Sequence, residues 1–250
     1  MKQKIPSLEI DRFPIWAWIL TAYCFIVQCG FYFATAFIMQ KANGAIQACI
    51  PKIPAIDDHI PLIPVFVLVY WYSYVFWIGA TLRIAKTSKQ HFTNWIIAFT
   101  VSEFIGFLIF CFYPTTMDRV QEGLTVLESK DDFISRLLWF TYMHDGGTHG
   151  HNLFPSYHCM FSMSCYMGVR KKEKVPKWQR IYTLVEIILI FMSTLFTKQH
   201  YCMDVIGGIS ISILCNVIVE KWNPGRYFRP KIMDNPDMQD LVGPKSQLLR

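Results

Sequence analysis

The sequence predicts an all-α, polytopic membrane protein, and three observations carry that prediction. Hydrophobic residues make up 53% of the 250 residues and charged residues only 17%, against about 25% charged in a typical soluble domain. Six segments are apolar over close to the roughly 20 residues needed to cross a hydrocarbon core. The lysines and arginines between them are distributed unequally, as the rule that cytoplasmic connections are basic requires.

The spans are expected at 14 to 39, 61 to 82, 94 to 113, 156 to 170, 180 to 197 and 201 to 221. The first lacks the short apolar core and small-residue cleavage site of a secretory signal, so it reads as a retained helix. Pro114 ends the third. The fourth and fifth are short and carry Ser, Thr and Met among their apolar residues, which suits helices packed inside a bundle. With six spans both termini share one side, and 18 of the 24 basic residues fall there, including the run RKKEKVPKWQR from Arg170 to Arg180. Both termini are therefore expected to be cytoplasmic. The net charge of +6 is accounted for by topology and by attraction to anionic headgroups, with no nucleic-acid partner implied. Residues 1 to 222 read as one membrane unit, and 223 to 250, rich in Pro and Asp, as a flexible cytoplasmic tail.

The longest connection, residues 114 to 154, lies on the opposite side. Connections of that length usually carry function or helices of their own. It places Arg119 just outside the membrane, then a helical stretch, Asp131 to Met143, whose acidic start and apolar Phe133, Leu137, Leu138 and Phe140 fit an interfacial amphipathic helix. HDGGTHGHN (His144 to Asn152) follows, with His149 and His151 one residue apart in a glycine-rich turn. No HExxH helix accompanies them, and the eight cysteines form no CxxC pair, so neither a metal site nor disulfides are expected. Asp145 reads as a loop cap, and Glu103 as a carboxylate paired within the bundle.

Two short motifs stand at the starts of apolar segments on that same side: FPSYHC (Phe154 to Cys159) and TKQHYCMD (Thr197 to Asp204). His200 and Asp204 are spaced i, i+4, so on one helix they would share a face. Pro155 and Ser156 are helix start signals, and the amide groups of a helix N-terminus favour an anion.

These motifs resemble those of the type-2 phosphatidic acid phosphatase (PAP2-like) superfamily, whose pattern is KxxxxxxRP, PSGH and SRxxxxxHxxxD. Here the second part is Pro155-Ser156-Tyr157-His158, and the third is Ser193 followed by His200 and Asp204. The first part is degenerate: Arg119 matches its arginine, but Phe112 and Val120 stand at its lysine and proline positions. Thr194 replaces the arginine of the third part, and Lys198, one turn further on, can restore the charge. Tyr157 in place of the glycine, together with TKQHYCMDVIGG, is closest to the inositol phosphorylceramide synthase-like and bacterial PSxH branch.

The resemblance implies a helical bundle whose last three spans bring His158, His200 and Asp204 together. Its chemistry also follows from the residues. An imidazole oriented by a carboxylate can attack phosphorus and form a phosphohistidine. His200 is the expected nucleophile, Asp204 its orienting acid, and His158 the general acid that protonates the leaving oxygen. Arg119, Lys198, Ser156 and Tyr157, through side chains or nearby amides, are the expected phosphate-binding residues. The scheme needs no metal or cofactor. The expected substrate is a lipid phosphate or diphosphate, cleaved at the outer face of the cytoplasmic membrane of a bacterium, with membrane lipids as the other partners. A lipid phosphotransferase and a non-catalytic transporter or scaffold are the rival readings.

Overall fold

The computed structural model describes residues 13–42, 48–171, 175–228 and 230–238. Its long helices are α1 (Ile15–Ala42), α3 (Val67–Ala85), α4 (Lys89–Phe112), α7 (Tyr157–Val169), α8 (Lys177–Phe196) and α9 (Cys202–Trp222). Each expected span has a helix in its place, so the protein is an all-α polytopic membrane protein. Five of the six are long and apolar enough to cross a bilayer: α1, α3 with the turn that precedes it, α4, α8 and α9. The sixth, α7, differs from the expected fourth span. It has 13 residues, about 20 Å at 1.5 Å per residue, and is almost wholly enclosed by α3, α4, α8 and α9.

Helix boundaries follow local chemistry. Ser88 caps α4, accepting a hydrogen bond from the His91 amide at 3.1 Å, and Ser156 caps α7 by accepting from the Cys159 amide. Asn223, in the left-handed conformation that Asn tolerates better than most residues, ends α9.

Aromatic rings fill the bundle. Trp77 stacks on Phe161 with centroids 4.7 Å apart, and Phe92, Trp95 and Phe99 form a continuous stack. Several polar groups among them are paired, as a dry interior favours: Trp77 Nε1 donates to Ser162 Oγ, Trp95 Nε1 to the Ser164 carbonyl, and Asn216 Nδ2 to Ser164 Oγ. Glu103 departs from its expected pairing. Its carboxylate is fully buried, and neither oxygen has a hydrogen-bond partner among the described residues.

Between α4 and α7 the chain forms β1 (Thr116–Asp118), the short helix α5 (Thr125–Glu128), α6 (Phe133–His144) and β2 (His149–His151). α6 is the expected amphipathic helix; its N-cap Asp132 accepts from the amide and hydroxyl of Ser135. The glycine-rich histidine turn is partly a strand, since β2 pairs antiparallel with β1, His151 opposite Thr116. The connection after α1 contributes a short helix, α2 (Pro54–Asp57), that the sequence reading did not anticipate.

The segment after α9 is anchored at its start rather than free. The Gly225 amide donates to Asn94 Oδ1 at 2.7 Å, Met233 is fully buried in the core, and Lys89 pairs with Asp234. The rest of the expected tail from residue 239, the basic residues before Phe13, and Lys172, Lys174 and Arg229 lie outside the described residues.

Candidate active site

The two histidine motifs converge because α7 and α9 touch at their N-termini. The Ser156 amide donates to the Asp204 carbonyl at 3.0 Å. Gly208 permits this approach: a Cβ there would stand 2.5 Å from the Ser156 carbonyl oxygen. Gly207 and Gly106 do the same for Phe154 and for the ring of Tyr157.

His200 does not lie on α9 with Asp204. It precedes the N-cap residue Tyr201, so the pair spans the helix start. Asp204 Oδ2 accepts the Tyr201 amide at 2.8 Å and stands 3.4 Å from His200 Nδ1, within ion-pair reach but out of hydrogen-bond alignment. The contact still leaves the other imidazole nitrogen as the one for chemistry. Asp204 is fully buried, and its Oδ1 has no partner among the described residues.

His158, the second residue of α7, is held by aromatics. Its ring stacks on Tyr70 at 4.2 Å and meets Trp77 at 5.1 Å and the edge of Tyr74 at 5.6 Å. Nδ1 lies 3.5 Å from the Tyr70 hydroxyl, a long contact, and the buried Nε2 has no partner among the described residues. That leaves Nε2 available for proton transfer.

Both histidines line one cavity of about 220 Å³ between α1, α3, α6 and the N-terminus of α7. His144, His151, Asn152 and Tyr157 also reach it. Burial lowers the pKa of His151 below the usual histidine range, and Asp145 opposes the shift. Tyr157 contributes its ring, with its hydroxyl donating to the Glu103 carbonyl at 2.8 Å. Ser156 serves as the cap of α7. Among the described residues no three His, Cys, Asp or Glu side chains are grouped to hold a metal ion.

The two expected phosphate-binding cations point elsewhere. Arg119 is fully buried: Nη1 donates to the carbonyls of Tyr142, Asp145 and Gly147, and Nη2 to Asp145 Oδ2 at 2.5 Å and to Gln199 Oε1. Lys198 donates to the Asp57 carbonyl and pairs with Glu122 at 3.3 Å. Glu122 also holds Lys52, whose pKa desolvation lowers but the bonds to Asp58 and Glu122 raise on balance. Each of these cations already has an internal partner, and the described residues lining the cavity include no lysine or arginine.

Sequence reasoning missed Asp57, Tyr32, Tyr70 and Tyr74, and gave Asp145 too small a part. Asp57 is almost fully buried and accepts the amides of Ile53 and Cys202, which ties α2 to the start of α9. Asp145 lines the cavity, accepting from Arg119 on one oxygen and from the Tyr32 hydroxyl on the other. Its place beside a motif histidine loop was the signal available; Asp57 had none.

The family model described as the PAP2 superfamily matches residues 47–218. No curated protein and no solved structure matches the chain.

Proposed function

Since the chain belongs to the PAP2 superfamily, and so has a phosphatase-like function on lipid phosphates, we propose that it is an integral-membrane lipid phosphatase working through a phosphohistidine at His200. One observation carries the reading: His200, backed by Asp204, and His158 open into the same cavity from two helix starts locked together. His200 Nε2 attacks phosphorus, and Asp204 steadies the imidazole as it gains positive charge. His158 Nε2 protonates the departing lipid oxygen, then takes a proton from the water that opens the phosphohistidine. The cavity edge supports lateral entry from lipid: Phe33 is 67% exposed and Trp71 42% exposed beside it. The active site is assigned to the extracytoplasmic face and the termini to the cytoplasm, on the distribution of basic residues.

Transfer to an alcohol instead of water is the second reading. It is favoured by the cavity's lack of a fixed cation among its described lining residues, which suits a phosphodiester monoanion better than a phosphomonoester dianion. It also fits the resemblance of Pro155-Ser156-Tyr157-His158 to the inositol phosphorylceramide synthase-like branch. The test is trapping by an alkaline detergent quench: protein in maltoside detergent is mixed with lipids labelled on phosphorus, with and without diacylglycerol or ceramide, and alkali-stable, acid-labile protein label is counted. Label on the wild type and none on His200→Ala is the expected result. Equal label on both, or turnover by His200→Ala, would overturn the reading.

A further inference from the structure

The cavity lining says more about the substrate than its reacting groups do. Among the described residues its wall holds Phe25, Tyr32, Phe33, Tyr70, Trp71 and Tyr74, one carboxylate, Asp145, and no lysine or arginine. Aromatic faces around a carboxylate attract a cation. Arg119 sits behind Asp145 and is fully buried, so the charged group turned to the cavity is the carboxylate. Both Asp145 oxygens already accept hydrogen bonds, from Tyr32 and Arg119. Asp145 therefore offers a field rather than a free acceptor, which suits a quaternary ammonium, a cation with no N–H to satisfy. A phosphomonoester dianion would meet histidines and a carboxylate here, whereas a phosphodiester carries one negative charge and can bring its own positive one.

We infer that the cavity takes a zwitterionic phosphodiester lipid whose head group ends in a quaternary ammonium, a choline-type phospholipid. The inference rests on this cavity being the place where the lipid phosphoester reacts with His200, and it takes the phosphodiester reading over cleavage of a phosphomonoester. His200 Nε2 forms a bond to phosphorus as the bond from phosphorus to the diacylglycerol oxygen breaks. That oxygen takes the proton of His158, and diacylglycerol returns to the bilayer. Water, or an alcohol in its place, then attacks phosphorus and breaks the P–N bond, and its proton returns to His158. The product in water is phosphocholine.

Two measurements on the full chain in maltoside detergent test this. In the first, phosphatidylcholine, phosphatidylethanolamine, phosphatidylglycerol and phosphatidate are compared as substrates. The expected order is choline, then ethanolamine, with the last two slower by about tenfold or more, the scale of one desolvated cation–π contact. In the second, His200→Ala protein is titrated with phosphocholine and with glycerol 3-phosphate. Phosphocholine is expected to bind more tightly, Trp71→Leu to weaken it about tenfold, and Trp71→Phe to restore most of the loss. Equal turnover of phosphatidate or phosphatidylglycerol, or equal binding of the two phosphates, overturns the head-group assignment while leaving the phosphohistidine mechanism standing. Selective phosphocholine binding with wild-type turnover by His200→Ala does the reverse.

Discussion

Replacing Arg119 with methionine separates a guanidinium that holds the site together from one that binds phosphate. The substitution removes the cation of the pair with Asp145 and the donor to the carbonyls of Asp145 and Gly147. The Tyr142 carbonyl keeps the Gly147 amide as a partner and loses less. Breaking a buried pair costs about 3–5 kcal/mol; Asp145 is 27% exposed, which puts this pair near the lower end. Two carbonyls without their donor add about 1 kcal/mol each. At roughly 2–4 °C per kcal/mol for a chain of this size, the melting temperature should fall by about 10 °C or more. Tryptophan fluorescence during heating in maltoside detergent reads that fall. Inhibition by inorganic phosphate, measured well below the transition, should be unchanged. A variant with wild-type melting and a lost phosphate inhibition constant would refute the structural role and restore Arg119 as a phosphate ligand.

Asp204→Asn keeps an acceptor for the Tyr201 amide but removes the charge facing His200; turnover should drop by about 10²–10⁴-fold with little change in melting, and a drop below tenfold would count against the pair. Gly208→Ala drives a methyl against the Ser156 carbonyl, so α7 and α9 must part. It should cost about 1–3 kcal/mol of stability, together with most of the turnover, in the same melting and activity assays. Lys198→Met breaks the pair with Glu122, which keeps Lys52 as its partner, and should lower stability by only about 1–2 kcal/mol without weakening phosphate inhibition. A selective loss of phosphate affinity would instead make Lys198 the replacement for the superfamily's arginine.

The helices were legible because membrane spans write themselves as long apolar runs, and Ser156 because a cap precedes a helix in sequence as in space. His158, His200 and Asp204 were legible because their neighbours in the chain, PSY before one and YCM between the others, fix their spacing. The internal partners of Arg119 and Lys198 were not. A cation near a histidine motif looks the same in sequence whether it faces a ligand or the carbonyls of Tyr142, Asp145 and Gly147 behind it. Lys198 adopts a positive φ of 50° and turns toward Asp57 and Glu122, residues about 140 and 76 positions away, which local reasoning on helical turns cannot connect. The aromatic cavity wall was hidden for a similar reason. Tyr32, Tyr70 and Tyr74 stand in apolar runs where aromatics are ordinary, and only the packing of α1 and α3 shows which rings face inward.

α1 ends at Ala42, and the superfamily match begins at residue 47. Yet α1 supplies Phe25, Gln28, Cys29, Tyr32 and Phe33 to the cavity. The histidines proposed to react thus belong to the part of the chain that the superfamily match covers, while much of the cavity wall proposed to meet the lipid comes from a helix outside it. Such a division lets selectivity change without touching the chemistry. Exchanging α1 between two members of the superfamily should move lipid preference with the helix and leave the nucleophile, its acid and their pH dependence where they were.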